Sequence, residues 1–228
     1  RAIGERLRGV AAELLDVGTG HVSLADGRVR VDGVPADLAW ERLVWEAYTR
    51  RVSLSAQAHY ATPRIHYDRS REQGEPFAYH VYGAAMVEVT VDCLRGTCSV
   101  DRVCAVHDAG RSLDALVDLG QLEGGIVQGI GWVTMEELLF GDGRNLSDTL
   151  STYKVPDILA VPAVEAVFLE DADNPHAVMQ SKAIGEPPFM YGIGAYFALL
   201  DAMRAFRPDR EAFFHAPMTP ERILMFLH

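Results

Sequence analysis

No apolar run in this chain approaches the about twenty residues of a membrane span. The opening stretch, residues 1–16, alternates charge with apolar residues and so lacks the apolar core of a signal peptide. Basic residues are outnumbered, 21 Lys and Arg against 32 Asp and Glu. The resulting net charge of -11 argues against nucleic acid or an anionic membrane surface as the main partner. Cysteine is scarce: Cys93, Cys98 and Cys104 are an odd number on neighbouring predicted strands, which does not suit a secreted disulfide framework and fits a reducing cytoplasm. Their spacing also lacks the close pair and fourth ligand of an iron–sulfur cluster, so they read as ordinary buried or partly buried thiols. No residue is read as a metal ligand. Internal repeats and low-complexity tracts are lacking too, so neither a solenoid nor a disordered linker is expected.

What is present is an ordinary globular composition, 49% hydrophobic and 23% charged over 228 residues, enough for one large domain or two small ones. Residues 2–15 repeat Ile3, Leu7, Val10, Ala11, Leu14 and Leu15 at helical spacing. Residues 21–25 and 28–31 alternate around Asp26-Gly27, the signature of a hairpin. Residues 38–50 return to helical spacing, with Leu43, Val44, Ala47 and Tyr48 expected inside and Trp40 and Trp45 read as packing residues. Residues 53–61 are a strand candidate, and 62–76 a polar loop. Residues 77–93 and 98–106 are read as adjacent antiparallel strands, 163–170 as a third strand, and 177–181 as a short one. An apolar helix is expected over 189–205. Thr219-Pro220 then caps a terminal helix.

Two stretches ask for a special explanation. The helix predicted over about 116–138 contains Gly120, Gly124, Gly125, Gly129 and Gly131, each costing roughly 0.8 to 1 kcal/mol relative to alanine. Gly120, Gly124 and Gly131 fall on nearby azimuths, which predicts close approach of another backbone or of a flat ligand. Helix packing is the commoner use of such residues. Gln121 and Gln128 share a face and could present amides to a ligand. Residues 181–200 place Glu186 between Gly185 and the pair Pro187-Pro188, at the mouth of the apolar helix. Gly185 offers conformations closed to other residues, Pro187 keeps Glu186 extended, and Pro188 fixes a helical φ. One reading is a turn with a solvated glutamate. The other is a buried, rigid carboxylate; desolvation raises a carboxylate's pKa toward neutrality, which suits a general base.

Four separated motifs then agree in order: VDLGQLEGGIVQGIGWVTMEEL at 117–138, STYKVP at 151–156, SKAIGEPP at 181–188 and TPERI at 219–223. Together with FAYHVYGAAMVEVTVDCLRG at 77–96 and HDAGRSL at 107–113, they make the chain resemble the C-terminal part of the molybdenum-binding subunit of the xanthine dehydrogenase family. The resemblance covers essentially all of residues 1–228. It implies an α+β fold, an antiparallel or mixed sheet packed with helices. We expect a possible subdomain division near residue 140. It also implies that Glu186 is the base taking a proton from the water or hydroxide on molybdenum. Gln121 matches a glutamine that hydrogen-bonds the pyranopterin, while Gly185, Ile184 and Ala183 border the cofactor and the substrate pocket by position. Gln128 has no such clear match.

In that family the loop binding the cofactor and the residues orienting substrate lie upstream of the segment matching Arg1. Iron–sulfur clusters and FAD are expected on other subunits or domains. The chain is therefore expected to be a fragment or a split subunit, inactive alone, working with an upstream molybdenum-binding partner on a small heterocycle. A purine such as hypoxanthine or xanthine is the first choice of substrate, with aldehydes or other N-heterocycles as alternatives. A non-catalytic assembly module is the competing class. Joint retention of Glu186 and Gln121 counts against it.

Overall fold

Helical spacing at the start of the chain is realised as helix α1 (Ala2–Leu15), which buries Leu7, Val10, Ala11 and Ala12 and is closed by Asp16 in the left-handed conformation. The structure, a computed structural model, describes residues 1–170, 172–211 and 213–228. The expected hairpin follows as β1 (Val22–Ala25) and β2 (Arg28–Val31), antiparallel, with Asp26 and Gly27 both at positive φ as this tight turn requires. A short third strand, β3 (Val34–Pro35), pairs with β2. Helix α2 (Trp40–Thr49) buries Leu43 and Ala47. Trp45 and Tyr48, expected to pack, are 62% and 67% exposed, because both are rotated away from the line joining Leu43 and Ala47. Residues 53–61 form no strand. Their serine carbonyls at Ser53 and Ser55 accept instead from the Arg6 guanidinium, at 2.8 and 2.9 Å, so a side chain takes the place of a ladder.

These elements make one compact unit, Arg1–Ala61, with its own core around Ala11, Val29 and Leu43. The second unit is Thr62–His228. The contact pattern thus parts the chain between Ala61 and Thr62.

Within the second unit, the polar loop contains a small hairpin, β4 (His66–Asp68) with β5 (Gln73–Glu75). β6 (Gly83–Val91) and β7 (Cys98–His107) are antiparallel, with an irregularity between Glu88 and Val89. Helix α3 (Ala115–Thr134) is capped by Asp114, whose carboxylate accepts from the N–H groups of Leu116 and Val117 at 3.1 and 3.2 Å. It stops short of Leu138 because the Gly131 carbonyl accepts from both Met135 and Glu136, each at 2.9 Å, ending the regular ladder. The strand pair β8 (Phe140–Gly141) and β9 (Arg144–Asn145) follows, then β10 (Ala163–Phe168), which lies parallel to β7. The mixed sheet has the order β10-β7-β6.

The strand expected at 177–181 is instead a single helical turn over Val178–Gln180, with Met179 and Gln180 at positive φ; Ser181 alone forms a bridge, to Gly110. The apolar stretch after Pro188 is two helices, α4 (Phe189–Gly192) and α5 (Gly194–Phe206). The terminal helix α6 (Pro220–Leu227) has the expected proline at its start and Thr219 accepting from the Arg222 N–H. Helices and sheet enclose a core that includes Val103, Leu122, Ile126, Leu199, Met203 and Ile223. The fold is α+β, as expected. Among the described residues, no helix is long and apolar enough to cross a membrane.

Candidate functional site

The corner that carries Glu186 begins the helical part of the chain with its own carbonyls. Those of Glu186, Pro187 and Pro188 accept from the N–H groups of Phe189, Met190 and Tyr191 at 3.0, 3.2 and 3.0 Å. Pro188 is at φ -63°, as its ring dictates, and is fully buried. Gly185 differs from expectation: it is not among the residues at positive φ, so the turn does not need glycine for its conformation. Nor does space exclude a side chain there. A Cβ at Gly185 would lie 3.6 Å from the amide oxygen of Gln121 and would meet nothing else beyond its chain neighbours within 4 Å.

Helix α3 supports the corner from beneath by backbone contact. A Cβ at Gly125 would lie 3.0 Å from Pro188 Cβ and 3.3 Å from the Gly185 carbonyl, and one at Gly129 would collide with the Phe189 carbonyl. Gly192 of α4 returns the approach, lying against Ile126 and Ile130. The glycines that pack against the corner are therefore Gly125 and Gly129, and of the trio Gly120, Gly124 and Gly131 singled out by azimuth only Gly131 makes a close approach. Gly131 makes room for Glu136 and Pro156. Tyr153 of the STYKVP segment donates to the same Glu136 at 2.5 Å, so that segment is tied to the end of α3. Gly120 and Gly124 face open space, with Gln121 exposed beside them and Gln128 exposed two turns on.

The structure thus brings Gln121 and Gly185 together and puts Glu186 next along the chain. Glu186, Ala183 and Gly185 are exposed, whereas Ile184 is half-buried. The expected burial of Glu186 is not found within this chain, because the helix surface beside the corner is the open one carrying Gly120, Gln121 and Gly124. Among the described residues, no group of three or more His, Cys, Asp or Glu side chains is arranged to hold a metal ion.

Residues not chosen from the sequence surround the corner. Lys182 forms an ion pair with Asp108, and these side chains are only 10% and 5% exposed. Burial alone would push the Asp108 carboxyl up, but the Lys182 ammonium and the Gly110 N–H, which donates at 3.0 Å, hold it below its usual value. His107 is fully buried, with Nδ1 2.7 Å from the Tyr191 hydroxyl. Burial keeps that imidazole below its ordinary value, and pushes the Tyr191 phenol up. Gly83 leaves the space into which the Tyr191 hydroxyl projects. The Ala183 N–H donates to the Tyr79 hydroxyl at 3.0 Å. The sequence signal for this shell was modest: a lysine four residues before the glutamate, and the HDAG run at the end of a strand.

Comparison with solved structures places the fold in the class of molybdopterin-binding regions. Quinoline 2-oxidoreductase from Pseudomonas putida 86 matches 99% of this chain and 28% of its own, with a TM-score of 0.74 and 26% identity. CO dehydrogenase from Oligotropha carboxidovorans matches with a TM-score of 0.70 over 99% of this chain and 27% of its own; at 20% identity it speaks for the fold alone. The chain belongs to the molybdopterin cofactor-binding domain family, whose model matches residues 1–162. Among curated relatives, the xanthine dehydrogenase/oxidase of Rattus norvegicus is 42% identical over 192 residues, 81% of this chain and 14% of that protein. The xanthine dehydrogenase of Oryza sativa subsp. japonica is 38% identical over 200 residues, 82% of this chain and 15% of that protein. The chain therefore spans about a seventh of the length of these relatives.

Proposed function

We propose that this chain forms one wall of the active site of a molybdenum hydroxylase, with Glu186 as general base and Gln121 as an amide contact for the pyranopterin. The observation that carries the reading is the meeting of Gln121 with Gly185, which sets a bifunctional amide one residue from a carboxylate on a proline-stiffened corner. The residues fit the cofactor. Gly120 and Gly124 leave the helix face open beside Gln121, as a flat ring system needs, and an amide can both donate to and accept from a heterocycle edge.

Glu186 takes the proton from a water-derived oxygen as that oxygen attacks an electron-poor carbon of the substrate. Its proline-bounded backbone restricts where the side chain leaves the corner, and its exposure leaves the carboxylate accessible to such a reactant. When bound, the molybdenum–pyranopterin group supplies the two-electron oxidation of that carbon. Ala183 and Ile184 border the substrate by position. A purine such as hypoxanthine or xanthine is the substrate we favour, on the strength of the xanthine dehydrogenases at 42% and 38% identity. The partners are an upstream molybdenum-binding segment or subunit and the iron–sulfur and FAD parts that receive the electrons.

The test is a pair of substitutions in the assembled enzyme. Glu186→Gln keeps molybdenum and pterin content and lowers turnover by about 10²- to 10⁴-fold, the usual loss of a general base. Gln121→Ala lowers pterin occupancy. Wild-type turnover in the first, or full occupancy in the second, would remove that residue from its role.

A further inference from the structure

We propose that the consecutive residues His107 and Asp108 act as positioning residues, gripping the chain on both sides of Glu186 and holding its carboxylate where a reacting oxygen can reach it. This rests on the reading of Glu186 as the base. Asp108 holds Lys182, four residues before Glu186, and His107 holds Tyr191, five residues after it. Both grips start at the end of β7, with His107 its last residue and Asp108 the next, so two consecutive residues anchor the two arms of the corner.

The upstream arm is secured by more than one bond. The Lys182 N–H donates to the Ala109 carbonyl at 2.9 Å, the Arg111 N–H donates to the Gln180 carbonyl at 2.9 Å, and Ser181 bridges Gly110. Asp108 is itself fixed, its N–H donating to the Tyr82 carbonyl at 2.9 Å and its carboxylate accepting from the Gly110 N–H. The Lys182 ammonium also stands 5.9 Å from the centre of the Tyr82 ring. The downstream arm rests on the edge-on contact of His107 with Tyr191, ring centres 5.7 Å apart, together with their hydrogen bond.

A buried ion pair is a poor device for stability, since apolar residues of similar volume serve as well or better. What the pair supplies here is a defined distance between strand and corner. Orientation is where a general base is most sensitive: a misplacement of about 1 Å can cost about 10²-fold in rate.

The experiment uses that distinction. In the assembled enzyme, Asp108→Asn or Lys182→Met alone leaves one buried charge without its partner, so loss of folding would be ambiguous. The double variant Asp108→Asn/Lys182→Met removes both charges at nearly constant volume. We expect it to retain its melting temperature, molybdenum content and KM while kcat per molybdenum falls about 10- to 100-fold. Amide hydrogen exchange in residues 181–191 should speed up, with exchange in the buried part of α3 unchanged. Tyr191→Phe, which removes only a hydroxyl, should move kcat and exchange in the same direction by less. Wild-type exchange in 181–191 of the double variant overturns the proposal. So does wild-type kcat in that variant when Glu186→Gln is inactive. If Glu186→Gln stays active, the base reading fails on its own, and the grip is then judged by the exchange result.

Discussion

His107 has no access to water, and that gives the corner a pH dependence whose sign can be worked out. Burial holds its imidazole below the ordinary 6.5, with the Ala183 backbone and the Asp108 charge offsetting only part of the effect. The unfolded chain therefore takes up a proton as pH falls through about 6.5, while the folded imidazole resists protonation until lower pH. The contribution is fully present above 6.5 and is lost as pH drops below it. Urea midpoints measured at pH 7.5 and 5.5 should fall toward acid in the wild type, and His107→Gln should fall less. Because the chain has eight histidines, the difference between the two proteins is the readout, and equal slopes would show that His107 does not titrate as its burial requires. At the same scale, Gly185 and Glu186 show what a sequence pattern conveys about a site. The prolines foretold a fixed corner, and Pro188 adopts the helical φ its ring dictates. Nothing local foretold that Gly185 would lie beside Gln121, 64 positions earlier in the chain.

Helix α3 has glycines with opposite duties, and alanine separates them. At Gly124 a Cβ meets nothing within 4 Å, so only propensity acts, and Gly124→Ala should raise unfolding stability by roughly 0.8 to 1 kcal/mol. If the open face receives the pterin, the same substitution lowers cofactor occupancy in the assembled enzyme. At Gly129 the Cβ runs into the Phe189 carbonyl, which belongs to a backbone that cannot rotate away. Overpacking of about 1 to 3 kcal/mol then exceeds the propensity gain, and Gly129→Ala should be net destabilising. Chemical denaturation of the two variants checks both signs; two stabilised variants would mean that α3 and α4 do not pack backbone to backbone. The helices α1, α3 and α6 and the Asp26-Gly27 hairpin were legible because caps, turn glycines and period all act within a few residues. The glycine count announced an unusual helix, yet azimuth alone chose Gly120 and Gly124, since what a helix face meets depends on distant chain. The grip of Asp108 on Lys182 was hidden for the same reason, joining residues 74 apart. The strand candidate at 53–61 failed because no neighbouring strand supplies it with a ladder, and the short strand at 177–181 because Met179 and Gln180 turn left-handed.

At the scale of the whole molecule, the residues proposed for the site lie on the surface of the second unit rather than in its core. Gln121, Gly185 and Glu186 are all exposed. On the sheet, Met86 of β6 is 75% exposed and Val167 of β10 is 58% exposed, alongside Ala84, Cys104 and Val106. Exposed apolar surface of this kind marks a contact face, and proton transfer by a carboxylate gains from a site that excludes water. On the function proposed above, both considerations favour a second wall. We therefore expect the 228-residue chain, purified alone, to fold but to retain little pterin and show no hydroxylation of hypoxanthine or xanthine. Co-production with an upstream molybdenum-binding segment should restore pterin content and turnover together, and should protect residues 183–186 and the Gln121 face from amide exchange. The coupling is the point of the measurement. Protection without turnover would indicate an assembly module, whereas pterin-loaded, active material from this chain alone would show that Glu186 and Gln121 need no second wall.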